Sequence, residues 1–220
     1  MTCVIIGGGS FACELLCYLK LMIKNHNSFH VISENHLDVD VDDRNYQKHD
    51  NVNKFIENMQ FNSAFIEVYL GSGKPNIKKR MLDEISKHFG PNMQLGPPIA
   101  MDNSTILSKE IGLGTIIASN AVIAPMSKIG SNVLVNYGAS IGHHCYIKDF
   151  VCIGPNVSIG GACTIKEGAY IGSGACVREK IVIGENSIVG MGAVVTSNVP
   201  DNTTVIGIPA KPTVIKGGWR

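Results

Sequence analysis

From Ile111 to Val195 an Ile or Val occupies every sixth position of this 220-residue chain without a miss. Four residues after each sits a mostly small side chain, such as Thr115, Ala121, Ala139, Cys145, Cys163 or Ala193, and Gly commonly follows the aliphatic residue, as in Ile141-Gly142 and Ile153-Gly154. A helix cannot use this pattern, because a period of six drifts off any face built on 3.6 residues per turn. Short strands wound into a coil can use it, each hexad forming one side. Three hexads make a coil of 18 residues, so residues 18 apart stack about 4.8 Å from one another. Ile99 and Thr105 fit the same count and place the start of the repeat before residue 111.

Stacking in eighteens turns the sequence into columns. One corner column reads Pro125, His143, Gly161 and Glu179; another reads Tyr137, Pro155, Ser173 and Met191. Of seven histidines only His143 and His144 lie in the repeat, and they fall at a corner, not at an inward aliphatic position. An imidazole beside a bare glycine N–H is the pairing acyl transfer needs. The imidazole takes a proton from the attacking group, and the N–H stabilises the oxyanion of the tetrahedral intermediate.

The first 95 residues read differently. Thr2–Ile6 is an apolar strand ending in Gly7-Gly8-Gly9-Ser10, and Phe11–Lys24 places Ala12, Leu15, Leu16, Leu19 and Ile23 on one helical face. Strand, glycine turn and helix open a Rossmann-like unit, with Gly7-x-Gly9-x-x-Ala12 at the place where such units hold phosphate. The competing reading is a tight turn with no ligand. Phe29–Ser33 is expected as the second strand, and the polar stretch 34–50 as a surface loop whose histidines, His36 and His49, are solvated. A helix over Asn51–Gln60, a strand over Ser63–Leu70, a second glycine turn at Gly71-Ser72-Gly73 and a helix over Asn76–Phe89 follow. In that helix Ile77, Met81, Leu82 and Ile85 are expected inward and Lys78-Lys79-Arg80 outward. A strand near Met93–Leu95 and Gly96-Pro97-Pro98 close the unit. Beyond Val195, Thr203–Lys211 reads as a returning strand. The expected class is α/β plus β: a Rossmann-like domain over 1–95, a parallel β-helix over 96–200, and a C-terminal strand and tail over 201–220.

Lys plus Arg (19) nearly balance Asp plus Glu (18), which gives no basic nucleic-acid surface. No apolar run reaches the roughly 18 residues a membrane helix needs, and the start carries no signal-peptide pattern, so a cytoplasmic protein is expected. Seven scattered cysteines without a CxxC pair read as reduced apolar fillers.

The unbroken hexads, the Ile141-Gly142-His143-His144-Cys145 corner, the IGSGA and VGMGAVV rungs and the closing IGIPAKP resemble the left-handed β-helix acyltransferases. The added N-terminal domain is similar to the nucleotide-sugar N-acetyltransferases of the PglD/NeuD type. The resemblance implies an acetyl-CoA-dependent homotrimer, without a metal, that acetylates the 4-amino group of a nucleotide-linked 4-amino-4,6-dideoxy sugar. UDP is the expected nucleotide, with dTDP and GDP relatives sharing the architecture. It implies His143 as the base, Gly161 as the amide facing the thioester carbonyl, and Asn136 at the substrate and thioester end. Cys152, Ser173 and Met191 become acetyl-CoA contacts, and Gly9, Ser10, Phe11, Ser33, Glu34 and Gly71 the nucleotide-sugar pocket. The chain departs from the family pattern in three places. His144 stands where an acid usually follows the base, Cys152 where a second histidine is common, and Phe11 where a histidine is expected in the first glycine loop. Other readings are O-acetylation of a sialic-acid-like sugar, a zinc hydratase, which would need about three histidines around its metal, and a non-enzymatic trimeric scaffold.

Overall fold

A computed structural model describes residues 2–7, 10–22, 28–32, 46–51, 54–55 and 65–214. The chain divides into two compact units, Met1–Gly96 and Pro97–Arg220.

The first unit is built on a five-stranded, wholly parallel sheet: β1 (Thr2–Ile6), β2 (Ser28–Ile32), β3 (Tyr46–His49), β4 (Ile66–Leu70) and β5 (Met93–Leu95), in the order β3-β2-β1-β4-β5. All five residues of β1 and of β4 are buried, as expected of central strands covered on both faces. Helix α1 (Ser10–Met22) buries Ala12, Leu15, Leu16 and Leu19. The ends of β1 and β4 meet backbone to backbone: Gly71 N–H donates to the Ile6 carbonyl at 2.7 Å, and a Cβ on Gly7 would lie 2.3 Å from the Gly71 oxygen. Both glycines are therefore required by packing, whatever else they do.

Three expectations change here. Tyr46–His49 is an edge strand, not loop, and His49 is buried. Its sequence, YQKH, lacks an apolar run because an edge strand faces water on one side. The central strand runs over Ile66–Leu70 with Phe65 outside it, while Ser63 and Ala64 lie outside the described residues. Helix α2 (Pro75–Phe89) turns Lys78 inward, 1% exposed, because 78, 82, 85 and 89 share one helical stripe with Ile85 and Phe89. Of the helix expected over 51–60, Asn51, Lys54 and Phe55 are described: Asn51 is a bend, and Lys54 and Phe55 are helical. His36 lies outside the described residues.

The second unit is a parallel β-helix of two- and three-residue strands on three faces. The first face runs from Ile99–Ala100 to Thr204–Ile206, the second from Thr105–Ile106 to Val194–Val195, and the third from Glu110–Ile111 to Val182–Ile183. From Glu110 to Val195 the register is 18, as in Tyr146↔Thr164 and Ser140↔Ser158, and the last rung shortens it to 16, with Ile188 against Thr204. The hexad aliphatics and the small residues fill the core, which includes Ile141, Cys145, Ile153, Cys163 and Ile171. The turns are as regular as the strands. Every sixth residue from Gly114 to Gly192 has a left-handed backbone, among them Asn120, His144, Asn156 and Ala162.

The first coil corrects the count. Ile99 pairs with Ile116 and Thr105 with Val122, an offset of 17. Ala100 and Ile106 therefore pack against the core instead of Ile99 and Thr105. A one-residue slip exchanges the two sides of a strand, and the corner between 106 and 110, one residue short, restores the register at Ile111. At the far end, Thr204–Ile206 continues the first face in parallel, and only Lys211–Thr213 returns antiparallel, after a turn at Gly207.

Candidate active site

The hexads that fill the core also fix what their corners display. His143 and His144 follow the strand Ser140–Ile141 of the second face and precede Tyr146–Ile147 of the third. Both are exposed. Ser127, one rung below and 2% exposed, braces this corner from inside. Its hydroxyl donates to the Gly142 carbonyl at 2.8 Å and accepts from Cys145 N–H at 3.2 Å. Sequence reasoning missed Ser127. Its only signal is a hydroxyl in the slot four residues after a hexad aliphatic, a slot where Thr115 and Ser187 also bond backbone carbonyls.

Directly above lies Gly161. The Ala162 N–H donates to the His143 carbonyl at 2.8 Å, which fixes the two rungs in register. A Cβ on Gly161 would stand 2.8 Å from both Cε1 and Nε2 of His143, so the imidazole edge lies against the bare glycine. The Gly161 N–H finds no acceptor among the described residues. The corner thus presents a basic ring nitrogen and a free backbone donor within a few ångströms of each other. Nδ1 of His143 is 3.0 Å from Nδ1 of His144, with the rings perpendicular at 89°.

The cysteine closest in sequence is not a nucleophile. Cys145 is fully buried, and its Sγ donates to the Gly160 carbonyl at 3.2 Å. The neighbouring Cys163 thiol, together with burial, pushes this thiol's pKa up and disfavours the thiolate.

The remaining expected residues lie elsewhere on the β-helix. Asn136 stands at the opposite end of strand Ser140–Ile141 from His143, its side-chain oxygen accepting from Tyr137 N–H at 2.8 Å. Ser173 and Met191 stack on that same corner, and Met191 is 68% exposed. One edge of the second face therefore carries His143 and Gly161, and the other carries Asn136, Ser173 and Met191. Cys152 is on the first face, across the coil from the His143 corner, and is buried. In the first unit Gly71 and Phe11 follow the ends of β4 and β1, and Ser10 opens α1. Gly9, Ser33 and Glu34 lie outside the described residues. No group of three His, Cys, Asp or Glu side chains is placed to hold a metal among the described residues, and no described helix is long and apolar enough to cross a membrane.

Comparison with known proteins bears on the fold. Residues 162–197 match the bacterial transferase hexapeptide family (six repeats). No curated protein matches the sequence. Among solved structures, the acetyltransferase domain of PglB from Neisseria gonorrhoeae in complex with acetyl coenzyme A is 25% identical, with a TM-score of 0.78 over 96% of this chain and 98% of that one. WeeI from Acinetobacter baumannii is 24% identical, with a TM-score of 0.80 over 97% and 100%. A mutant of perosamine N-acetyltransferase from Caulobacter crescentus, in complex with CoA and GDP-perosamine, is 22% identical, with a TM-score of 0.80 over 98% of each chain. The last two matches establish a shared fold along nearly the whole chain.

Proposed function

We propose that this chain is an acetyl-CoA-dependent N-acetyltransferase acting on the 4-amino group of a nucleotide-linked 4-amino-4,6-dideoxy sugar. The observation that carries this reading is the His143 imidazole lying against Gly161, whose N–H is free, at a corner of a hexapeptide β-helix. The neighbours crystallised with acetyl coenzyme A or with CoA and a nucleotide amino sugar support the choice of substrates.

In the reaction the sugar amine attacks the thioester carbonyl carbon, and the new C–N bond forms as the oxygen gains negative charge. The Gly161 N–H donates to that oxygen, an interaction typically worth about 3–4 kcal/mol in such sites. Nε2 of His143 takes the proton the amine sheds. As the intermediate collapses, the C–S bond breaks and the sulfur leaves with that proton as coenzyme A thiol. No acyl-enzyme forms, which agrees with the buried Cys145.

Asn136, Ser173 and Met191 lie on the other edge of the second face, so a groove holding both sets needs the His143 edge of one copy beside the Ser173 edge of another. A homotrimer of left-handed β-helices, with acetyl-CoA between subunits, meets that need. The burial of Cys152 on the first face stands against the acetyl-CoA contact expected of it. The first unit, over 1–95, is a Rossmann-like domain holding the nucleotide through Gly9, Ser10, Phe11, Ser33, Glu34 and Gly71, and the β-helix spans 96–200 with an extension over 201–220. UDP is the first candidate and GDP the second, in a cytoplasmic enzyme.

The test is thiol release from acetyl-CoA over a panel of UDP-, dTDP- and GDP-linked 4-amino sugars. Turnover with a 4-amino sugar, and none with its 4-hydroxy counterpart, is expected. Turnover of hydroxyl acceptors alone would replace N-acetylation with O-acetylation, and turnover of neither would remove the enzymatic reading.

A further inference from the structure

The proposed base needs its lone pair on the nitrogen that faces Gly161, and an imidazole has two tautomers. In His143 the nitrogen beside Gly161 is Nε2, while Nδ1 lies 3.0 Å from Nδ1 of His144. Two ring nitrogens at that distance share one proton: two lone pairs, or two N–H groups, would repel head to head. If the bridging proton belongs to His143, its Nε2 is bare and basic. If it belongs to His144, the His143 proton must sit on Nε2, and the base is blocked.

From this geometry we infer that His144 is a positioning residue, which accepts a hydrogen bond from His143 Nδ1–H and thereby holds His143 in the tautomer with a free Nε2. The inference rests on the reading of His143 as the base. His144 then carries its own proton on Nε2, at the exposed side of the corner. When His143 Nε2 takes the amine's proton, its Nδ1–H goes on donating to His144 Nδ1, so the imidazolium forms without losing a hydrogen bond. In this chain a neutral imidazole does by hydrogen bonding what a carboxylate does elsewhere by hydrogen bonding and charge.

The backbone supplies a clean test. His144 has φ 56°, where Gly, Asn and Asp are all at ease. His144→Gly removes the acceptor, His144→Asn supplies a neutral one and His144→Asp a charged one, and none of them strains the corner. With the preferred amino sugar, His144→Gly is expected to lower kcat by about ten- to a hundredfold, the scale of a misoriented catalytic group, with KM within about twofold of the parent. Asn and Asp should restore most of the loss. The ¹⁵N-imidazole spectra of the parent should show His143 protonated at Nδ1. A Gly variant with parental kcat, alongside an inactive His143→Ala, overturns the positioning role and leaves the base intact. So does a His143 protonated at Nε2, or an Asn variant as slow as the Gly variant. A His143→Ala enzyme as fast as the parent removes the base itself, a distinct failure.

Discussion

The two units place their polar groups oppositely. Among the described residues the β-helix buries no carboxylate, lysine or histidine; its buried polar side chains are Thr115, Ser127, Asn132 and Ser187, and its charged side chains stand outside the core, on strands and corners alike. The N-terminal unit buries His30, His49 and Glu67 on its strands and Lys78 on helix α2. His30 and His49 share a hydrogen bond of 3.0 Å and stack beside Phe55, while Tyr69 donates to Glu67 at 2.7 Å. A solenoid core built of identical rungs has no special place for a charge, whereas an irregular α/β core can surround one. The β-helix can therefore vary its corners without disturbing its interior, and the sheet cannot change its interior residues so freely.

Four experiments probe this contrast. The largest effect is expected from Ile153→Ala, which empties part of a fully buried rung and should cost about 2–5 kcal/mol in denaturant unfolding of the β-helix. A loss well under that would show a pliant core.

Mild acid should act on the first unit. Burial, and secondarily the charge of His49, lower the pKa of His30 to about 4, while burial also lowers that of His49. A histidine depressed in the folded state gives its full stability above the unfolded value of about 6.5. Between there and about pH 4 the unfolded chain binds the proton and the folded one does not. About 3 kcal/mol should be lost over that interval. Limited proteolysis across this range should cut the first unit before the second, and His30→Leu should flatten the dependence. Simultaneous cleavage of both units would break the contrast.

Gly161→Val should do the converse, with a large effect on catalysis and little on stability. The added atoms would push His143 off its place, and kcat should fall by about a hundredfold. The melting midpoint should hold, because His143 is exposed and free to swing outward. The smallest effect belongs to Lys128→Met, which removes an exposed ion pair with Glu110 and should leave both the midpoint and kcat unchanged within error.

How much of this was legible in the sequence follows the same division. The hexads revealed the β-helix, its core and the stacking of His143 under Gly161, because a strict repeat maps sequence onto space. They failed where the repeat breaks: a corner one residue short puts Ala100 and Ile106, not Ile99 and Thr105, against the β-helix cluster. In the first unit, the polar edge strand Tyr46–His49 left no apolar run to read, and Lys78, though on the stripe of Ile85 and Phe89, reads as outward because a lysine is ordinarily solvated. The His143–Nδ1 contact with His144 depends on ring orientation, which no spacing records. That Asn136, Ser173 and Met191 stand across a face from His143 was implicit in the count. It becomes plain once the three faces are assigned.

The most direct test of the central claim is the steady-state rate of thiol release by His143→Ala at neutral pH. The account predicts a kcat at least about a hundredfold below the parent, within the range of a lost general base, with KM for both substrates little changed. A kcat equal to the parent's would contradict it.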